Sequence, residues 1–313
     1  MAYDTGGDPM RGLKWCRKTP AKVAQELRKA DIQVSASTVS RLLKKLLRYS
    51  LRVNHKKVES GNRNPPKPKE RDRQFQYIGD LRSSFARRGN PIVSVDTKKK
   101  ELVGNFKNGG QAWAKEPDLV YDHDFRSDAR GRMVPFGIYD TRANRGFVCV
   151  GTSAETPAFA VDSIDCWWMK EGRKRHPGRT ELLILADCGG ANSARSRAWK
   201  HRLQTRLCDA RGLTVTVCHY PPGASKWNPI EHRLFSEITK NWAGKPLRSF
   251  ETALKHIRRT KTTTGLRVRA RLIEKDYQTG EKVSDEEMKS LCLSRHKDLP
   301  SWNYTLSPST SIM

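Results

Sequence analysis

The sequence predicts an α/β fold, a mixed sheet flanked by helices, preceded by an all-α region. The sheet is predicted because apolar runs at 92–95 and 182–186 each end in an aspartate and alternate along the chain with segments of helical periodicity. The all-α region is predicted because two closely spaced helical patterns rich in Lys and Arg precede residue 54.

The composition indicates a partner of opposite charge. The 313 residues include 60 Lys and Arg against 33 Asp and Glu, a net charge of +27. Such a charge attracts polyanions, so nucleic acid is the leading partner class, while ribosomal and membrane-surface roles stay open on charge alone. The chain has no apolar run of about 18 residues and no signal-like start, which predicts a soluble, cytoplasmic protein. Seven scattered cysteines without a CxxC pair predict reduced thiols.

Two short helices are predicted between residues 19 and 48. Thr19 and Pro20 form a cap and a first-turn proline, and Ser35 or Ser37 can cap the second helix. The pair is typical of a helix-turn-helix with a recognition helix, although a helical hairpin with a solvated basic face gives the same pattern. The first interpretation assigns DNA contacts to five side chains: Ser37, Thr38, Arg41, Lys44 and Lys45.

Four parts are predicted along the chain. Residues 1–53 form the helix-turn-helix region, and 54–74 form a basic, proline-rich linker. Residues 75–265 form the α/β domain, and 266–313 form a C-terminal accessory segment. Residues 1–95 hold 22 Lys and Arg but 8 Asp and Glu, a concentration of positive charge expected of an arm that grips DNA.

Three carboxylates occur in matching settings. Asp96 and Asp187 end apolar strands in the same phase, and Glu231 opens a helix whose apolar face needs a sheet to pack on. Three acids at one end of a sheet are suited to two Mg²⁺ ions and phosphoryl transfer, with Asp96 as the bridging ligand on the central strand. Simpler alternatives are a capping box from Asn228 to Glu231 and a turn role for Asp187.

Other side chains compete with these acids or could contact DNA beside them. Glu101, Asp122, Asp124 and Asp140 are alternative ligands, and Asp140 is the strongest because it also ends a strand. The lysines after Asp96 could contact phosphates or form a solvated charge run. Trp227 could stack on an unpaired base or lie in the core. The predicted DNA contacts here are Lys98, Lys99, Lys100, Trp227, His232 and Arg233.

The tracts that carry these acids resemble a known family. Four of them resemble the DDE transposases of bacterial insertion sequences of the Rhodopirellula type: 93–109, 186–192, 218–235 and 264–270. Residues 220–231 are also similar to the corresponding motif of mariner-like transposases. The resemblance covers about residues 15–307. It implies an RNase H-like catalytic domain with Asp96, Asp187 and Glu231 as the catalytic, metal-binding triad.

The resemblance also implies an activity and partners. The activity is cutting and joining of double-stranded DNA at element ends and target sites, supported by two Mg²⁺ or Mn²⁺ ions. The implied state is a homodimer or larger assembly on DNA, in a bacterial cytoplasm and associated with the nucleoid. Two features depart from the family: the 43 residues between Asp187 and Glu231 exceed the mariner-like spacing, and the chain before the helix-turn-helix is short, as in an N-terminally shortened copy.

Two other functions remain open from the sequence. One is a non-catalytic DNA-binding protein, either a decayed transposase or a repressor, which would keep the basic arm alone. The other is an RNase H-like structure-selective nuclease, which would cut DNA without joining it. Nicking of supercoiled plasmid with and without Mg²⁺ distinguishes the catalytic from the non-catalytic functions.

Overall fold

The structure is a computed structural model that describes residues 5–8, 13–16, 18–50, 67–224 and 227–309. It divides into two compact units, residues 1–60 and residues 61–313. The predicted linker falls largely on residues 51–66, which lie outside the described part of the chain.

The first unit contains two strands as well as helices. Strands β1 (Thr5–Asp8) and β2 (Leu13–Cys16) pair antiparallel, so the prediction of an all-α region was wrong here. The sequence did not indicate these two strands because Gly6 and Gly7 interrupt the alternation of apolar and polar residues by which strands are recognised.

The two predicted helices of the first unit are present. Helix α1 is Pro20–Arg28, capped by Thr19, and α2 is Ala36–Arg41, capped by Ser35, whose hydroxyl accepts from Thr38 N at 3.1 Å. A π-helical turn, Leu42–Leu46, continues α2. Val39 is buried, but the leucines of the π turn are mostly exposed, unlike the packed stripe that the periodicity predicts. The helix-turn-helix interpretation stays a prediction.

The second unit is built on a nine-stranded mixed sheet, preceded by helix α3 (Pro68–Arg87). Its first strands are β3 (Ile92–Thr97), β4 (Glu101–Val103), β5 (Gly131–Asp140) and β6 (Arg145–Gly151). Helix α4 (Pro157–Trp167), continued by a π turn at Trp168–Gly172 and the short α5 (Arg173–Arg175), leads to β7 (Glu181–Ala186). Helix α6 (Arg197–Leu203), continued by a π turn at Gln204–Asp209, leads to β8 (Thr214–His219).

The remaining elements follow a π-helical turn at Glu231–Phe235. They are α7 (Ser236–Asn241), α8 (Phe250–Arg259), β9 (Arg267–Ile273), α9 (Asp285–Lys289), β10 (Leu293–Arg295) and β11 (Asn303–Leu306). Ser284 caps α9 in a capping box with Glu287, which the sequence pattern Ser-Asp-Glu-Glu at 284–287 predicts.

The strand order is β10-β11-β8-β7-β3-β5-β6-β9, with β4 paired to β5. The middle five strands, β6-β5-β3-β7-β8, have the RNase H-like arrangement, in which β5 runs antiparallel to β3 and both β7 and β8 run parallel to it. The predicted α/β, RNase H-like fold is therefore confirmed, with β3 at its centre.

Helices cover both faces of the sheet. On one face α4 and α6 pack through a core that includes Phe159, Trp167 and Trp199. On the other face the segment after Pro229 and helix α8 pack through Leu234 and Ile238, while α3 covers the β7 and β8 side. Among the described helices, none is long and apolar enough to cross a membrane.

Two predicted boundaries differ from the structure. Helix α3 begins at Pro68, inside the stretch 54–74 predicted as linker, because Lys67 and Glu70 form a capping box at its start. The segment 266–313 is not an accessory unit, since β9, β10 and β11 extend the main sheet at its two edges. Short strands spaced far apart along the chain gave no local signal that they pair with β6 and β8.

Candidate active site

Asp96 and Asp187 leave neighbouring parallel strands at the same level. In the register of β3 and β7, Val95 pairs with Ala186, so the residue after each pair member is an aspartate. Asp96 is buried, with 8% of its surface exposed, and Asp187 lies directly after β7. The two predicted acids are thus adjacent because parallel strands bring their carboxyl ends together.

Glu231 reaches the same end of the sheet through bonds that join its helix to β3. The Ser94 hydroxyl donates to the Asn228 side-chain carbonyl and accepts from Ile230 N at 3.0 Å. The amide nitrogen of Asn228 donates to Val95 O at 3.2 Å. The Asn228 side chain therefore fastens the helix start to the strand that bears Asp96, which is a different role from the side-chain N-cap predicted for it.

The helix that begins after Asn228 lies very close to the sheet. A Cβ atom at Gly137 of β5 would lie 2.6 Å from Phe235 and 2.8 Å from Ile230. A Cβ atom at Gly146 of β6 would lie 2.4 Å from Leu234. Both glycines remove a side chain where the helix crosses, and a π-helical turn begins at Glu231 itself. Gly137 pairs with Asp96, so the close approach occurs beside the acid.

The three carboxyl groups share one charged environment. Burial, followed by the charges of Asp187 and Glu231, raises the pKa of Asp96 to about 8. Burial likewise raises the pKa of Asp187 and of Glu231. In the metal-free protein Asp96 therefore holds its proton to a higher pH than an ordinary aspartate does.

Lys98, predicted to contact DNA phosphates, lies inside the protein beside the three acids, and that role stays a prediction. Its side chain is buried, pairs with Glu101 at 3.2 Å, and lies over the Trp242 ring at 4.7 Å from the centroid. Burial lowers the pKa of Lys98, and its positive charge opposes the rise that burial causes in the pKa of Glu231. Lys98 thus offsets part of the negative charge of the site from within the protein.

The Asp187 backbone is held by a chain of buried hydrogen bonds. Trp199 Nε1 donates to the Tyr304 hydroxyl at 2.9 Å, and that hydroxyl lies 3.4 Å from His219 Nε2. His219 Nδ1 lies 2.8 Å from the Asp187 carbonyl oxygen, which can only accept. Donation therefore runs from Trp199 through Tyr304 and His219 to Asp187. Burial lowers the pKa of His219 to about 4, so its ring is neutral.

The Asp187 carboxylate has its own donors. Its Oδ1 accepts from Gly189 N at 3.1 Å and from the Asn192 side chain at 3.2 Å. These bonds come from the turn after β7 and oppose the effect of burial on the pKa of Asp187. Asp187 thus has the turn role weighed for it, and the same bonds orient its carboxylate at the end of β7.

The competing carboxylates lie elsewhere or have other partners. Asp140 is paired in register with Val93, about 10 Å along β3 from the level of Asp96. Its carboxylate lies 2.7 Å from His176 Nε2 and accepts from Ala143 N at 3.0 Å, which makes it a turn-stabilising residue. Asp122 is exposed and pairs with His123.

The remaining predicted DNA contacts are on the surface, and their roles stay predictions. Lys99 is exposed, whereas Lys100 pairs with Glu155 at 2.7 Å. Trp227 is 58% exposed and meets the Phe75 ring edge-on at 5.9 Å. His232 and Arg233 are exposed next to Glu231. In the first unit, four of the five predicted contacts are exposed and one is half-buried: Ser37, Thr38, Arg41, Lys44 and Lys45.

The three carboxylates are a ligand set suited to hard divalent ions, although their side chains are not arranged as a complete metal site. All three candidate ligands are carboxylates, which Mg²⁺ and Mn²⁺ prefer. Within the described residues, no three Asp, Glu, His or Cys side chains are grouped closely enough to hold an ion as they stand.

Comparison with protein families identifies the family of this chain. The family model for the Rhodopirellula transposase DDE domain matches residues 1–308. The chain belongs to this family. No curated protein matches this transposase DDE domain.

Solved structures similar to this transposase DDE domain include complexes of the Mos1 transposase. The paired-end complex with left transposon end is 17% identical, covering 76% of this chain and 65% of that chain, with a TM-score of 0.42. The pre-cleavage transpososome is 15% identical over 76% and 65%, with a TM-score of 0.43. The mariner paired end complex with Mg is 16% identical over 80% and 71%, with a TM-score of 0.42. The chain thus spans about two thirds of the length of these relatives.

Proposed function

We propose that this protein is a DNA transposase in which Asp96, Asp187 and Glu231 are the catalytic carboxylates. The observation that carries the proposal is the convergence of three acids from separate tracts at one end of the central strands, where burial, followed by the charges of Asp187 and Glu231, raises the pKa of Asp96 to about 8. Burial and mutual repulsion make it costly for all three carboxyls to be charged at once, and a bound cation would offset that cost. Membership in a transposase DDE domain family supports the same function.

The same residues would hold two divalent ions, Mg²⁺ or Mn²⁺. When bound, such ions hold and polarise the attacking and leaving oxygens of an in-line displacement at phosphorus. Asp96, on the central strand, would supply ligand oxygens to these ions together with Asp187 and Glu231. Lys98 limits the excess negative charge beside Glu231.

The proposed reaction has two displacement steps. Water attacks a phosphodiester at the element end, the bond to the leaving oxygen breaks, and a 3′ hydroxyl is released. That hydroxyl then attacks a phosphodiester of target DNA, so that a new P–O bond joins the element to the target while the bond to the target's 3′ oxygen breaks and leaves a 3′ hydroxyl there. The protein's own contribution is to fix the three carboxylates: Asn228 fastens the helix of Glu231 to β3, and the turn after β7 orients Asp187. We also propose that it acts on double-stranded DNA as a dimer or larger assembly.

The decisive experiment compares stability with cleavage in Glu231→Gln. Glutamine keeps the size and hydrogen bonding of the side chain but is a poor Mg²⁺ ligand. The melting temperature should stay within a few degrees of the parent's, while Mg²⁺-dependent nicking of supercoiled plasmid should fall by several orders of magnitude. Glu237→Gln is the matched control, because Glu237 lies on the same helix and pairs with Lys240 at the surface; it should nick normally.

Two further variants and one product assay separate the alternatives. Asp96→Asn should be inactive, whereas Asp140→Asn should lose stability and keep nicking, because Asp140 serves the turn and His176. If Asp140→Asn folds but is as inactive as Asp96→Asn, the choice of triad is wrong. A parent protein that nicks but never joins a 3′ hydroxyl end to plasmid is a nuclease, and one that binds without nicking is a non-catalytic DNA-binding protein.

A further inference from the structure

A strongly basic groove runs along the edge strand β9, apart from the candidate active site. It consists of a cavity of about 870 Å³ and an adjoining one of about 440 Å³, which share Glu171, Arg258 and Arg269 in their walls. Seven side chains that line the larger cavity are Arg or Lys, and Glu171 is its one acidic residue. Lys170 and Arg271 extend the positive charge into the smaller cavity.

The positive charge of this basic groove is arranged in a row. Arg267, Arg269 and Arg271 alternate along β9 with residues that pack inward, so the three arginines share one face of the strand. Successive members are two residues apart, about 6.6 Å along the strand. Neighbouring phosphates on one DNA strand are about 3.4 Å apart along the helix axis, so the spacing of the arginines is close to the axial rise over two nucleotides.

Few of these charges are neutralised within the protein. Glu171 accepts from both Arg269 and Arg175, so one carboxylate serves two guanidinium groups. In the described part of the chain, the side chains of Arg145, Lys261 and Arg267 form no ion pair, although all three line the larger cavity. A concave surface with this excess of one charge concentrates the field and attracts a polyanion.

The basic groove is separate from the three acids. Asp96 pairs with Gly137, Gly137 with Val148, and Val148 with Ala270, so β9 lies three strand spacings, about 14 Å, from β3. Ala270 belongs to the core on the Glu231 side, so the arginines on either side of it face the opposite side of the sheet. A phosphate held there is not the one positioned at Asp96.

We propose that the basic groove binds the sugar–phosphate backbone of duplex DNA as a second contact surface, away from the phosphate that is cut. The proposal rests on the proposed function only in taking DNA as the polyanion. It adds to that function a grip on a DNA segment on the far side of the sheet.

The test is the salt dependence of duplex binding by the full chain, measured in EDTA so that no cleavage occurs. The variant carries Arg145→Gln, Lys261→Gln and Arg267→Gln, which spares the arginines paired to Glu171. Loss of three phosphate contacts should make the slope of log K against log salt shallower by about 2 to 3. The matched control, Arg87→Gln, Lys289→Gln and Lys297→Gln, removes the same charge from exposed positions elsewhere and should change the slope by less than about 1.

A second measurement needs no variant. Acetylation of Lys170 and Lys261, followed by mass spectrometry, should be slowed several-fold by saturating duplex, while Lys289 and Lys297 react as before. Equal slopes for the two triple variants, with both folded by thermal melt, would overturn the proposal, as would unprotected groove lysines. Since both assays run without divalent ions, an inactive parent protein would refute the proposed catalysis and leave this result readable.

Discussion

Asp96 sets the charge balance of the candidate site. An ordinary aspartate has lost its proton at neutral pH, whereas burial, with the charges of Asp187 and Glu231, raises the pKa of Asp96 to about 8. Between about pH 4 and pH 8 the folded protein therefore binds a proton that the unfolded chain has released. The slope of the unfolding free energy is then negative, so the metal-free protein becomes less stable as pH rises through this window.

The expected result is a pH-dependent stability that Asp96→Asn reduces. In EDTA, the parent's unfolding free energy should fall between pH 5 and pH 8, by at most about 1.4 kcal/mol per pH unit from this residue. The variant, which cannot release the proton, should show a flatter profile. Urea unfolding at four pH values measures both. Raised pKa values of Asp187 and Glu231 act in the same direction, so some slope should persist in the variant; identical profiles would contradict the shift at Asp96.

Single residues also mark the limit of what the sequence predicts. Asp96, Asp187 and Glu231 could be selected because each stands at the end of an apolar strand or the start of an amphipathic helix. The sequence could not exclude Asp140, since it ends a strand too, and only the antiparallel pairing of β5 with β3 places it at the level of Val93. It also could not show that Lys98 turns inward, because exposure depends on the packing of Trp242.

Among the elements, the helix that begins after Asn228 can pack closely on β5 because residue 137 of that strand is a glycine and has no side chain. Gly137→Ala should push this helix away, because the new methyl group would meet Phe235 and Ile230 within 3 Å. We expect a loss of about 1–3 kcal/mol in stability and a larger relative loss of nicking, since Glu231 moves with the helix. Gly79→Ala in α3, where nothing lies within 4 Å, is the control and should be neutral or stabilising.

Nicking by Gly137→Ala should recover in part when Phe235→Leu is added, because the smaller side chain frees space beside the new methyl group. Thermal melts and nicking rates of the single and double variants measure this. A Gly137→Ala protein with parental rate would show that the close approach has no part in positioning Glu231.

Strand β11 supports the candidate site from a distance. Tyr304→Phe removes the hydroxyl that lies between Trp199 and His219, which leaves the buried His219 Nε2 without its donor and frees the ring that holds the Asp187 carbonyl. We expect a cost of about 1–3 kcal/mol in stability and a higher Mg²⁺ concentration for half-maximal nicking.

Tyr277→Phe is the matched comparison, since it also removes a tyrosine hydroxyl, one that is bonded to Asp162 at 3.0 Å and not to the His219 chain. It should lose stability without changing the Mg²⁺ requirement. A shift of equal size in both variants would mean that Tyr304 contributes only to stability.

At the scale of helices and strands, the sequence predicts local features such as caps but does not predict tertiary contacts. Helix caps such as Thr19 and Ser284 are encoded in adjacent residues, so they were predicted correctly, whereas the strands β1, β2, β4, β10 and β11 were not predicted. The roles of Asn228, Gly137 and Tyr304 join residues far apart in the chain. A glycine inside an apolar strand was the one available signal for the close approach.

For the molecule as a whole, the separation into two units predicts that the first can be removed. Deleting residues 1–66 ends before α3, whose Ile78 and Phe85 pack in the second unit, so the remaining chain should keep its melting temperature. Duplex binding should become less steep with salt, because the basic residues of the arm no longer neutralise phosphates. Fluorescence anisotropy from 50 to 200 mM salt checks this, and an unchanged slope would place the DNA grip entirely in the second unit.

The position of β11 in the sheet has a consequence for synthesis on the ribosome. Strand β8 ends at His219, and its outer neighbour begins at Asn303, 84 residues later. At a synthesis rate of roughly 5–20 residues per second, the edge of β8 stays unpaired for about 4 to 17 s, and His219 lacks its contact with Tyr304 for the same time. A nascent chain therefore reaches a complete Asp187 environment only when β11 has left the exit tunnel. Premature termination before residue 303 should leave products that aggregate rather than cut DNA.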